Sequence, residues 1–156
     1  MKRLVLVATA LTIPLAVTTV GLVGFAGTAG ASARPACSTV SGNTNTKVFA
    51  RGCGGGLGVG QIKQTSSSTG TITWRGLTVV KGKPVVKFQG TTTVDNIVVT
   101  LPPTSRCATG STENDITGTV SADTTHRITV GSTLSADVCI SPTGAVHLVK
   151  GTVAKL

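Results

Sequence analysis

Gly70-Thr71-Ile72-Thr73-Trp74-Arg75 is the stretch on which the fold turns. Apolar Ile72 and Trp74 alternate with Thr71, Thr73 and Arg75, a period of two that sends one set inward and the other to solvent. Pro84-Val85-Val86-Lys87-Phe88-Gln89 repeats that parity, with Val86 and Phe88 expected inward and Lys87 outward. Between the two runs lie Leu77-Thr78-Val79-Val80 and a tip, Lys81-Gly82-Lys83-Pro84. Gly82 is placed to supply positive φ, and Pro84 suits an edge or a strand start.

The same grammar extends outward. From Thr91 to Leu101, Val94 lies on one parity and Ile97, Val99 and Leu101 on the other, which predicts a bulge or tight turn at Asp95-Asn96. A polar loop containing Cys107 follows Pro102-Pro103 and runs through Asn114. Ile116, Val120, Ile128, Val130, Leu134, Ala136, Val138 and Ile140 then share even parity, and Val146 and Leu148 continue on one face. Gly131-Ser132, Pro142-Thr143-Gly144 and Gly151 mark turns, while Gly52 to Gly60 and Thr65 to Thr69 read as flexible loops. The pattern predicts an all-β fold: a single antiparallel β-sandwich or barrel-like domain of about 8–10 short strands. Composition agrees. The 156 residues are 40% hydrophobic and only 12% charged, too apolar for disorder. Glu occurs once, which excludes a long coiled coil.

The first 33 residues read as a signal peptide. Met1-Lys2-Arg3 is basic, Leu4 to Phe25 is apolar, and Ala31-Ser32-Ala33 is an A-x-A cleavage pattern. Cleavage near Ala33 leaves residues 34–156 as one secreted domain, extracellular or held in the cell envelope, with no membrane span. Exported chains meet oxidising conditions, and four cysteines stand at Cys37, Cys53, Cys107 and Cys139. Of the three pairings open to them, Cys37–Cys53 and Cys107–Cys139 close the short loops that neighbouring strands can bridge. The domain is therefore expected to be disulfide-stapled.

Cys37-Ser38-Thr39-Val40-Ser41-Gly42, the second cysteine ahead of a glycine-rich loop, and Gly70-Thr71-Ile72-Thr73-Trp74 before alternating Thr/Val strands resemble small exported actinobacterial β-rich proteins of unknown function. That resemblance implies a β-rich exported domain and transfers no active site.

Catalytic constellations are sparse. His126 and His147 are the bases available for a nucleophilic triad, with Asp123 or Asp137 as orienting acid, and no G-x-S-x-G elbow is present. Glu113-Asn114-Asp115 is a tight oxygen cluster without the spacing of a calcium loop, and reads as polar residues leading into a strand. Gly52 to Gly60 has neither G-x-G-x-x-G nor G-K-[ST], so it is no phosphate cradle. The expectation is a non-catalytic protein with no cofactor and no metal.

Charge is the one feature above background. Arg34 to Val94 holds eight cations (Arg34, Lys47, Arg51, Lys63, Arg75, Lys81, Lys83 and Lys87) and no acid. Asp95 to Leu156 holds four cations and all five acids. Lys47, Arg51, Lys63, Arg75, Lys81, Lys83 and Lys87 are thus candidate anion-binding residues for an anionic cell-envelope polymer or an acidic protein. The same charges would also keep a Thr/Val-rich sheet soluble. Phe49, Trp74 and Phe88 are too few for base stacking, so specific nucleic-acid recognition is not expected. The alternative is an inhibitor or effector loop, Pro102-Pro103-Thr104-Ser105-Arg106-Cys107, presenting Arg106 beside a disulfide. A small hydrolase is the third option.

Overall fold

The computed structural model of the protein describes residues 34–156, so the expected signal segment lies outside the described residues. These form nine strands: β1 (Ala36–Asn43), β2 (Val48–Cys53), β3 (Gly58–Gln64), β4 (Gly70–Val80), β5 (Lys83–Thr100), β6 (Thr112–Asp123), β7 (Thr133–Ile140), β8 (Ala145–Leu148) and β9 (Ala154–Lys155). Each pairs antiparallel with the next from β1 to β8, and β8 returns to β1. The sheet closes on itself as an eight-stranded up-and-down barrel. Of the two architectures expected, the barrel is the one formed.

The eighth stave is shared. Against β1, His147 faces Ser41 and Ala145 faces Asn43, while Ala154 faces Cys37 and Lys155 faces Ala36 further along the same edge. β9 thus continues the lane of β8 after an excursion over 149–153. The end of the barrel with Cys37, Cys53, Gly58 and Asp123 is called the floor; the end with Asn43, Gln64, Gly70 and Thr112 is the roof.

An eight-stranded barrel is only wide enough to be filled by side chains. Trp74, Leu57 and Val120 are fully buried, packed with Val40, Ala50, Ile72, Val138 and Val146. Trp74 needs a gap on the facing strand, and Gly60 is its register partner. A Cβ at Gly60 would lie 2.6 Å from the indole Cζ3, so the absent side chain is the space the ring occupies.

The indole N–H is buried and must be partnered. Trp74 Nε1 donates to Thr92 Oγ1 at 2.8 Å, and Thr92 Oγ1 donates to Asp123 Oδ1 at 2.7 Å. Asp123 Oδ2 then accepts from Thr125 Oγ1 at 2.6 Å and from the backbone N–H groups of Arg127 and Ile128 at 3.0 and 3.1 Å. One carboxylate thereby ties the core to the turn that carries Ile128, itself buried as a plug in the floor.

The Ile72/Trp74 parity holds, but the expectation that Val86 and Phe88 point inward is overturned. Trp74 faces Gly90 whereas Arg75 faces Phe88, so Gln89 is an extra residue in β5. That bulge flips the phase, and Val86 and Phe88 are each 60% exposed. At Asp95-Asn96 the expected bulge is present: pairing with β6 shifts between Asp95 and Val98, and Asn96 has φ of 53°. Beyond it Ile97 is half-buried, but Val99 and Leu101 are exposed. Val130 is exposed rather than inward, because Ile128 and Val130 lie in the β6–β7 connection and not in a strand.

Both expected disulfides, Cys37–Cys53 and Cys107–Cys139, are formed. The two loops expected to be flexible are instead tied down. Only residues 54–57 leave the strands, Leu57 is fully buried, and Arg127 Nη1 donates to the Gly55 carbonyl at 2.8 Å and to that of Gly56. Thr65 N–H donates to the Thr69 carbonyl at 3.0 Å, and Ile97 N–H to that of Ser68 at 2.9 Å.

Replacing Thr92 by Val keeps the shape but strands both the indole N–H and Asp123 Oδ1. Urea unfolding should report a loss of about 1–3 kcal/mol. Converting Cys107 and Cys139 together to Ser should cost about 3–4 kcal/mol by the loop-entropy relation, read by the same titration.

Candidate functional site

The most distinctive surface begins where the barrel ends. β4 and β5 run on past the floor as a two-stranded arm, from the Arg75–Phe88 pair to Val80–Lys83. Lys81 and Gly82 join them with φ of 49° and 76°, both central residues left-handed, the geometry of a tight hairpin that follows strand twist. Cross-strand partners share a face. One face therefore carries Leu77, Val79, Pro84, Val86 and Phe88 with Arg75 at its root; the other carries Thr78, Val80, Val85, Lys83 and Lys87. Every residue from Val79 to Phe88 is exposed, Leu77 and Val79 to 75% and 74%. From Val79 to Phe88 both faces of this ribbon stand in solvent.

Its root is fixed firmly. The amide of Gln89, oriented to donate, reaches the Leu57 carbonyl at 2.8 Å and that of Gly56 at 3.2 Å. It lies over Gly76, where a Cβ would collide with it. The bulged residue thus closes the floor while releasing the arm.

The other sequence-nominated cations are exposed but scattered. Lys47 lies in the β1–β2 turn and Lys63 near the end of β3, both at the roof, whereas Arg51 and Arg75 lie towards the floor. Arg51 stacks over the Phe49 ring, 5.4 Å from its centroid. Arg51 also helps line a shallow depression of about 460 Å³ beside the 149–153 excursion, together with Thr39, Ser41, His147 and Lys150. Lys150 and the hydroxyls of this depression were not among the residues nominated from sequence, and His147 was weighed there only as a catalytic base. Cross-strand pairing that brings residues 51 and 147 to either side of β1 has no local signal.

The Arg106 loop is built differently from the expectation of a presented arginine. Leu101 to Ser111 folds over the outside of β6 and β7, pinned by Cys107–Cys139. Beneath it Glu113, on β6 rather than in a polar loop, is 2% exposed. It accepts from the Arg106 backbone N–H and from Arg106 Nε at 2.8 Å, while Arg106 Nη2 also reaches Asp137 Oδ2 at 3.1 Å. These hydrogen bonds, the backbone one first, hold the Glu113 carboxyl below its usual range, and the two carboxylates raise the Arg106 guanidinium further.

The candidate triad residues are not brought together by hydrogen bonds. His126 is exposed in the turn after β6 at φ of 58°, and His147 is exposed on β8. Burial works to raise the Asp123 pKa, yet the hydrogen bonds from Thr125, Thr92, Ile128 and Arg127 overcome it and the value is lowered. Those partners occupy both of its oxygens. Among the described residues no group of three or more His, Cys, Asp or Glu side chains is placed to hold a metal, and no helix is long and apolar enough to cross a membrane.

Fold and surface define a filled, disulfide-stapled, up-and-down β-barrel with a projecting arm. No family model, curated protein or solved structure matches the chain.

Because Glu113 and Asp123 are held ionised in the fold, their contribution is present above the ordinary carboxylate range and disappears as pH falls through their lowered values. Melting temperature should therefore drop on acidification below the ordinary glutamate value of 4.5. Glu113→Gln should lower the melting temperature at neutral pH and flatten the acid limb. An unchanged acid limb in that variant would show that the strap's ion pair is not what titrates.

Proposed function

We propose that the protein is an exported, non-catalytic binding domain that holds an anionic polymer of the cell envelope through its basic first half. The observation that carries this reading is the fate of the charges. All eight cations from Arg34 to Lys87 are exposed, and the ion pairs of the described residues involve only Arg106. Three of the five acids, by contrast, are consumed internally: Glu113 and Asp137 by Arg106, and Asp123 by the floor turn. A chain needing charge only for solubility has no reason to leave eight cations of one half unpaired while most of its acids are spent on structure.

Two stapled loops suit an oxidising, extracellular setting, where a small domain must survive unattended. The alternative of an inhibitory Arg106 loop draws less support, since the guanidinium is turned back onto Glu113 and Asp137.

Purified envelope polymer should retain the protein at low salt and release it as salt rises from about 20 mM to about 500 mM, as a screened attraction requires. Changing Lys81, Lys83 and Lys87 to Gln should lower retention several-fold. Retention that is equal at both salt concentrations, or absent at both, sinks the proposal.

A further inference from the structure

We infer that the arm formed by residues 75–88 is a membrane-docking element. Its apolar face enters the interface of an anionic phospholipid bilayer while its lysines engage the headgroups. The inference goes beyond the anionic-polymer reading above and assigns this part of the chain a surface of its own.

Three features select that occupant. The first is chemistry on two sides of one ribbon. Leu77, Val79, Val86 and Phe88 are 75%, 74%, 60% and 60% exposed on one face. Lys83 and Lys87 stand on the other face beside Thr78, Val80 and Val85, with Lys81 at the tip. A soluble polyanion satisfies the lysines and leaves the apolar face in water. A bilayer interface takes both, since adsorption there grows with buried apolar area and with attraction to anionic lipid. No acid occurs anywhere from Arg34 to Val94 to oppose a negative surface.

The second is length. Six cross-strand pairs run from Arg75–Phe88, where Val59 of β3 still pairs with Arg75, to Val80–Lys83, so at about 3.4 Å per residue the ribbon is about 20 Å long. A membrane-spanning strand needs about 9–11 residues. The arm is therefore too short to cross, and with lysines at its tip it lies along one interface with its apolar face turned inward.

The third concerns a second copy of the chain. One face of a ribbon about 20 Å long and two strands wide presents roughly 200 Å², so two arms face to face bury roughly 400 Å² against about 1,600 Å² in a standard interface. Pairing of arms is too small to be stable by itself. A lipid surface sets no such requirement of shape.

The test uses residues 34–156, which contain the whole closed barrel, its core and both disulfides. Binding is measured to phosphatidylglycerol vesicles, to phosphatidylcholine vesicles and to lipid-free polyphosphate. The wild-type domain should prefer the anionic vesicles. Leu77→Ser with Phe88→Ser should lower that binding at least about tenfold and leave polyphosphate retention unchanged. Lys83→Gln with Lys87→Gln should lower both. Emission of Trp74, the sole tryptophan and fully buried, reports an intact barrel in each variant. Should the Ser pair disturb it, Leu77→Thr with Val86→Thr replaces that pair.

If the apolar variant binds anionic vesicles as the wild type does, or no vesicle is bound, the membrane inference falls, while retained polyphosphate binding keeps the polymer reading standing. Vesicle binding without any polyanion binding has the opposite consequence. An arm-dependent dimer in sedimentation, with no vesicle binding, overturns the inference in favour of a second copy.

Discussion

A tryptophan can be sealed inside so narrow a barrel only if its one polar atom is answered there, and the Trp74–Thr92–Asp123 relay is that answer. Its reach exceeds the indole. Asp123 also fixes the backbone of Arg127 and Ile128. Ile128 plugs the floor and Arg127 grips the 54–57 turn, which in turn carries buried Leu57. A single carboxylate therefore couples the widest side chain of the interior to the whole closure of one end. Such networks are high in consequence because every member is satisfied through the others.

The arm is a product of the same floor. Gln89, inserted as one extra residue, turns the even positions of β5 from interior to exterior and lays its own amide over Gly76 towards Leu57. Without that phase change Val86 and Phe88 would line a longer barrel. With it, the barrel is stopped short, and the strands beyond are free to serve the surface. Placing apolar side chains on a two-stranded ribbon that stands in solvent costs solubility, and the lysines at its tip and back face offset that cost while blocking edge pairing.

Much of this was readable from residue order. Alternation at Ile72 and Trp74, the turn at Gly82, the bulge at Asp95-Asn96 and the two cysteine pairings follow from local periodicity and loop length. Gln89 was not readable in this way, because nothing in Phe88-Gln89-Gly90 distinguishes a bulge from a continuing strand until Trp74 and Gly90 are seen to pair. Ile128 shows the converse: its parity was right by coincidence, for it is buried from a turn and not from a strand. Glu113 reads as a polar residue leading into a strand because turns of that composition are common; its burial is tolerable only because Arg106, next to the disulfide-bonded Cys107, bonds its carboxylate. The cations were identifiable, but their division between roof, floor and arm depends on register across several strands.

The meeting of β1 with β8 and β9 has a kinetic consequence. Ring closure joins Ser41 to His147 and Cys37 to Ala154, contacts separated by more than a hundred residues. Sheets dominated by such distant pairings fold slowly, since the entropy of joining remote segments is spent before the contact repays it. Until residues 154–155 arrive to complete the final stave, the nascent polypeptide has two open edges and an incomplete interior, and so its barrel stays unsealed longest at that one seam.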